Sequence, residues 1–302
     1  MENFNKYLGI YTTSGDVQTA INEGTLKKPY VALVDGVLDY NTVENQPDYS
    51  QIPLTFEILS DGNISWLSKF DVDVTIEYSK NGGAWTSITS SNSGGGDDSS
   101  SSSPDSSSSG GGGTTGTLIP VVTGDIVQFR GTDHLNGNAT FQTTTAQINV
   151  YGNINSLITT GYATNPESVV LSTNEYTSLF AVGDGDSFPA VNVISAENLV
   201  LPSTTLANSC YHSMFYGCTS LTTAPELPAT TLADEGCYAF MFVGCSSLNY
   251  IKCLATDISG YGCTDYWVDG VASTGTFVKA SSMTDWTTGS NGIPSGWTVV
   301  EE

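Results

Sequence analysis

Between residues 215 and 254 apolar side chains return every third position. Phe215, Cys218, Leu221, Ala224 and Leu227 form one run; Phe242, Cys245, Leu248, Ile251 and Leu254 form the next. A strand repeats every two residues and a helix every 3.6, so neither fits. The pattern predicts short strands and tight corners that coil around a narrow core. It also recurs as a block: "CYHSMFYGCTSL" (210–221) comes back 27 residues later as "CYAFMFVGCSSL" (237–248). The flank "LVLPSTTLA" (199–207) comes back as "ELPATTLA" (226–233). A fixed period of this size marks a solenoid, in which each unit is one supersecondary element stacked on the last. "EYTSLFAVG" (175–183) and "GCTDYWVDG" (262–270) are weaker copies, as end units of such a stack should be. Phe277, Trp286 and Trp297 then supply a closing cap, and residues 153–302 are expected to be a short repeat domain.

Upstream the period changes to two. "LTFEIL" (54–59), "NISWL" (63–67), "DVTIEYS" (73–79), "AWTSIT" (84–89), "TLIPVV" (117–122), "DIVQFRG" (125–131) and "QINVYG" (147–152) read as short strands. Asp61-Gly62 and Asn81-Gly82 mark tight turns between neighbours. Strands at this spacing predict an immunoglobulin-like or fibronectin-like sandwich over 51–152, with Trp66 or Trp85 in its core. The Ser/Gly tract at 90–116 cannot pack a core. Four strands precede it and three follow, and neither set buries both faces alone. It therefore reads as a long disordered loop inserted into one domain, and such an insertion costs little closure entropy. Residues 1–50 read as an anchoring arm. It holds a short helix capped by Ser14 and ended by Gly24, and a hairpin turning at Asp35-Gly36.

The paired cysteines admit three readings. Residues of a stacked core repeat, whereas a metal site needs its ligands only once. Cys210, Cys218, Cys237 and Cys245 repeat, and His212 gives way to Ala239. The favoured reading makes the cysteines small buried hydrophobes, in the same core as Phe215, Leu221, Phe242 and Leu248. Disulfides between adjacent turns come second, because like positions on neighbouring strands lie about 5 Å apart. Zinc comes third, since no C-x-x-C pair is present. Asp184 and Asp186 lack the further oxygen ligands of a calcium loop.

The formal charge of −23, with one arginine and seven lysines, leaves no basic stripe for phosphate. That argues against nucleic acid and against an anionic membrane surface, and no apolar run reaches the length of a spanning helix. "MENFNKYLGIYTTSGDV" has neither a basic start nor an apolar core, so a secretory signal is not expected. None of the common hydrolase or nucleotide motifs occurs, and the two histidines, His134 and His212, lie in different expected domains. His134 stands near Arg130, but one strand end makes a poor site. No enzyme activity, metal or cofactor is expected. Aromatics interleaved with Asn, Asp and Thr offer a glycan surface, for which Tyr216, Tyr250, Tyr266 and Trp267 are the candidates. Tyr211 and Tyr238 share one repeat position and are expected to pack.

The core Phe215, Cys218, Ser220, Leu221, repeated as Phe242, Cys245, Ser247, Leu248, resembles the F-x-x-C-x-S-L unit of BspA-like leucine-rich repeats. The likeness covers roughly residues 170–270 and departs from that family in having two full copies. More broadly, "SWLSKFDVDVTIEYSKNGGAWTSIT", "IPVVTGDIVQFRG" and "GTFVKASSMTDWTTGSNGIPSGWTV" resemble fibre and capsid-decoration proteins of tailed phages infecting gut Bacteroidales, the crAss-like group among them. That resemblance implies a structural virion protein made in the host cytoplasm and displayed on the particle. Its partners would be other virion proteins, reached through residues 1–50, and host surface glycans or proteins. A fibre is expected to be a homotrimer. The alternative is a bacterial cell-surface adhesin of the BspA-like kind.

Overall fold

The computed structural model describes residues 8–11, 31–34, 37–40, 47–70, 72–90, 118–164, 169–181 and 191–302. Two units divide the chain, Met1–Asp48 and Tyr49–Glu302. In the first, β1 (Leu8–Tyr11) runs parallel to β2 (Val31–Val34), which pairs antiparallel with β3 (Val37–Tyr40). Val34 faces Val37, so the expected hairpin is present, although its Asp35-Gly36 turn lies outside the described residues. So does the helix expected from Ser14 to Gly24.

The second unit is built of β-strands and turns, with no α-helix among the described residues. Its first half holds β4 (Leu54–Ile58), β5 (Gly62–Ser68), β6 (Val74–Lys80), β7 (Thr86–Ser90), β8 (Leu118–Val121), β9 (Ile126–Arg130), β10 (Ala139–Thr144) and β11 (Gln147–Asn153). One sheet has the order β10-β5-β8, and the other carries β11-β4-β9-β6-β7. Alternation sets which side chains face inward: Val127 and Phe129 on β9 are buried, while their neighbours are partly exposed. Phe56, Phe129 and Phe141 form a mutual cluster with centroids 4.8–4.9 Å apart, and Trp66 lies 4.6 Å from Phe141. The Trp66 ring N–H donates to the Val74 carbonyl at 3.0 Å. Trp85 instead stays half-exposed beneath the Arg130 guanidinium, 4.0 Å from its ring centroid. Strands on either side of residues 91–117 pair with each other, β5 with β8 and β6 with β9, so that stretch joins two strands of one fold. The Ser/Gly tract itself lies almost wholly outside the described residues.

β10 is a strand the hydrophobic pattern does not single out. Its sequence, ATFQTT, is mostly polar, yet Thr140, Gln142 and Thr143 are buried. The cause is its position. One edge pairs with β5; on the other, the Phe141 amide donates to the Leu179 carbonyl and the Thr140 hydroxyl to that of Ser178. β10 is where the sheets meet the coils.

From β11 the larger sheet continues into β12 (Asn192–Ser195) and β13 (Leu199–Val200), both parallel to it. Ser195 then bridges Thr223, Thr223 bridges Tyr250, and β14 (Tyr250–Cys253), β15 (Thr276–Lys279) and β16 (Thr298–Glu301) follow in parallel register. Each pass of the chain thus adds one parallel rung. A line of stacked or tilted rings runs through the interior: Phe141 to Phe180 at 6.0 Å, Phe215 at 5.2 Å, Phe242 at 5.8 Å, Trp267 at 6.3 Å and Trp286 at 5.5 Å. The boundary expected between residues 152 and 153 lies at the end of β11. That strand pairs with β4 on one side and with β12 and β13 on the other, and one buried core spans Leu54 to Trp297.

Candidate functional site

Away from the parallel rungs the coils are made of four turn segments, residues 173–180, 208–217, 235–244 and 261–270. Their backbone amides alternate between two partners. His212, Met214 and Tyr216 donate three residues back, to Ser209, Tyr211 and Ser213. Tyr211, Ser213, Phe215 and Gly217 donate across to Cys237, Ala239, Met241 and Val243 of the next coil. Every fourth residue must then take a left-handed backbone: Ser209, Ser213 and Gly217, then Gly236, Phe240 and Gly244, then Gly262, Tyr266 and Gly270. Glycine reaches that region without a steric penalty; a bulky aromatic does not. Phe240, at φ 58°, and Tyr266, at φ 50°, therefore carry strain that the glycines at the matching turns do not.

Those two rings stack at 5.6 Å and 17°, and His212 of the preceding coil approaches Phe240 at 5.2 Å. Tyr266 is 52 % exposed, Phe240 and His212 partly so. The Tyr266 amide is held by the Asn291 side chain at 2.8 Å, and Asn291 in turn donates to Asp265 at 3.0 Å. The result is an outward row of three rings, ending beside carboxylate and amide groups.

Of the four aromatics expected to present a ligand surface, Tyr266 alone lies in this row. Tyr216 is partly exposed one coil away, at the position filled by Val243 in the next. Tyr250 sits in the parallel ladder between Thr223 and Thr276. Trp267 requires correction: it is 0 % exposed, and its ring N–H donates to the Gly292 carbonyl at 2.8 Å. Its place explains why. Phe215 donates to the Met241 carbonyl and Phe242 to that of Trp267, so Trp267 occupies the buried methionine position of the repeat. There its indole closes the tyrosine column Tyr176–Tyr211–Tyr238 and carries the phenylalanine line on to Trp286. The signal was in the repeat register, which sets Trp267 against Met241 and Tyr266 against Phe240. His212 and Phe240 are the members that pattern reading misses, because they stack only across coils.

All six cysteines are buried free thiols. Burial pushes Cys210 and Cys253 up to about 12 and raises the other four as well, so none offers a thiolate nucleophile at neutral pH. Two of them share a backbone role: Cys218 donates to the Phe180 carbonyl and Cys245 to that of Phe215, each reaching the previous coil. Among the described residues no three His, Cys, Asp or Glu side chains gather as a metal site; Asp184 and Asp186 lie outside them.

His134 does find a partner. Its Nδ1 meets Oε2 of Glu175, a carboxylate with 0 % exposure. Glu175 also accepts from the Leu135 amide at 2.7 Å, the Ser172 amide at 2.9 Å and the Ser172 hydroxyl at 2.6 Å. A serine, a histidine and a carboxylate are thus together, but the Ser172 hydroxyl lies against the carboxylate and, at 2.7 Å, against the Asn136 side-chain oxygen, not against the imidazole that would serve as its base. Chemically this is a clamp between the loop after β9 and the first coil. No family model, curated protein or solved structure matches the chain.

Proposed function

We propose that this chain is a structural virion protein of a tailed phage, a head-fibre, tail-fibre or capsid-decoration protein whose coils present a surface to host glycans. In this reading the two halves of Tyr49–Glu302 take finer names. The paired sheets are immunoglobulin-like: β5-β8 and β9-β6-β7 correspond to the B–E and F–C–C′ neighbours of that fold. They depart from it at the margins, where β4 lies beside β9 and β10 beside β5, each in the place of the other terminal strand. The coils are a short solenoid of the BspA-like leucine-rich kind, in which Cys218 and Cys245 occupy matched positions.

The observation that carries the proposal is the row His212–Phe240–Tyr266. Two of its rings stand on strained backbone, where a smaller residue folds more easily, and strain of this kind is kept where a site has a use for it. Acidic surface and aromatic edges suit contact with neutral glycans better than with nucleic acid. Residues 1–50 would hold the particle, and the assembled fibre would be a homotrimer.

Immunogold labelling of phage lysates and of the producing cells, with antibody against this chain, tests the reading. Gold on particles is the expected result. Gold on cell envelopes with none on particles would replace it with the BspA-like adhesin. Sedimentation of the intact chain and of a variant lacking residues 1–48 tests the rest: a trimer is expected, and the shortened chain should be missing from particles.

A further inference from the structure

A second site lies on the outer face of the larger sheet. Glu57 on β4 pairs in register with Asn149 on β11, and Asn149 with Ser195 at the end of β12, so three polar side chains line up across adjacent strands. The turn between β12 and β13 brings in Glu197 and Asn198. A single turn of 3-10 helix, Tyr49–Gln51, sets Tyr49 against Tyr151 at 5.5 Å and 67°, so the two rings form a corner. Together these groups enclose a cleft of about 320 Å³.

Its chemistry is lopsided. Among the described residues two carboxylates line it and no lysine, arginine or histidine does. Among the described residues neither Glu57 nor Glu197 forms an ion pair, although six such pairs occur elsewhere. Glu57 is held in place by the Asn149 amide at 2.8 Å. Both tyrosine hydroxyls are pushed up, first by burial and then by the Glu57 carboxylate nearby.

We infer that this cleft binds an organic ammonium ion, borne by an amino sugar or by a lysine side chain, with the carboxylates of Glu57 and Glu197 as counter-charges and the Tyr49–Tyr151 corner as its aromatic wall. Cations are drawn to the electron-rich faces of aromatic rings, and a partly enclosed site strengthens the attraction. A bare metal ion would leave most of the volume unfilled and would make no use of the rings. A neutral sugar would leave two carboxylates without compensating charge.

The test is titration of the isotopically labelled intact chain, following the side-chain amide resonances of Asn149 and Asn198. The probes are glucosamine, N-acetylglucosamine, Nα-acetyl-lysine amide and calcium chloride. Glucosamine, the lysine derivative or both should shift these resonances, binding about tenfold or more tightly than N-acetylglucosamine. The tighter of the two identifies the source of the ammonium. Glu57→Gln and Glu197→Gln should each weaken binding about tenfold and leave the unfolding midpoint unchanged, because a glutamine at 57 can still accept from Asn149 and Glu197 is exposed. Equal binding of N-acetylglucosamine would overturn the proposal in favour of a neutral-sugar site. Calcium acting at lower concentration than either ammonium ligand would overturn it in favour of a metal site. Absence of shifts with both ammonium ligands would overturn it outright.

Discussion

The sandwich and the coils solve the same problem, burying aromatic rings, in opposite ways. In the sandwich, Phe56, Phe129, Phe141 and Trp66 come from four strands, and no two share a local sequence context. In the coils, Phe215 meets Phe242 and Tyr211 meets Tyr238 because each is the same residue of the repeat, one turn later. The first core is specified by topology, the second by register. Yet Phe180 touches Phe141 on one side and Phe215 on the other, so the two cores are continuous. The difference teaches that how a core is written into a sequence does not decide where a folding unit ends.

Truncating one ring on each side tests that continuity most forcefully. Phe129→Ala and Phe215→Ala should each cost about 3–5 kcal/mol, the usual range for a buried phenylalanine. Urea unfolding can be followed by near-ultraviolet circular dichroism and by the fluorescence of variants that retain Trp66 or Trp267 alone. If the unit is cooperative, both truncations move one shared transition by similar amounts. Separate transitions for the two tryptophans would split the unit at the coils.

The clamp at Glu175 is next in size. Glu175→Gln places an amide donor among donors that now share a carboxylate, and should cost about 3 kcal/mol. It should also separate the two reporters, with the Trp267 signal lost at lower urea than that of Trp66. Coincident loss would mean that the aromatic line alone couples the halves.

What could be read from the residues follows the same division. The coils were legible as a 27-residue repeat, which sets Phe215 against Phe242 and Tyr211 against Tyr238 because a repeat states its own register. Trp267 is buried because it aligns with Met241, whereas its type and its setting amid Asp and Tyr point to the surface. The sandwich was legible only as strands. Seven of them announce themselves by alternation, whereas β10 is hidden, since its threonines and Gln142 are buried by neighbours far along the chain. The cleft at Glu57 and Glu197 was illegible for the same reason. Its residues lie up to 149 positions apart and meet only through the pairing of β4, β11 and β12.

Acid and alkali should weaken the two regions from opposite ends. In the sandwich, hydrogen bonds from the Val122 amide and Asn81, with Lys80 beside them, hold Asp125 down at about 2, from an ordinary 3.8. Its stabilisation is present above pH 3.8 and is lost as pH falls toward 2, because the unfolded chain takes up the proton first. In the coils, burial lifts Cys210 and Cys253 from 9.0 to about 12. The unfolded chain releases these protons first, so that stabilisation is complete below pH 9 and declines as pH rises from 9 toward 12. The buried Tyr176, Tyr211 and Tyr238 act with the same sign above pH 10. Urea midpoints measured across both limbs should show Asp125→Asn flattening the acid side alone, and Cys210→Ala with Cys253→Ala flattening the alkaline side. A thiol substitution that altered the acid limb would contradict the assignment.

The smallest expected change discriminates most between packing and use. Phe240 stands where the coil needs a left-handed residue, and its counterparts in the earlier coils are serines, Ser213 and Ser178. Phe240→Gly removes a strain of roughly 1 kcal/mol and also removes the stacking with His212 and Tyr266, a loss of similar size. Net stability should therefore change by less than about 1 kcal/mol, in contrast with several for Phe215→Ala one coil earlier. If the ring row contacts glycan, the same substitution should abolish retention on a host-glycan array while the unfolding curve barely moves. A large loss of stability would make Phe240 one more packed member of the coil. Unchanged stability and unchanged retention would remove the ring row as the contact surface and leave the Glu57 cleft to be tested alone.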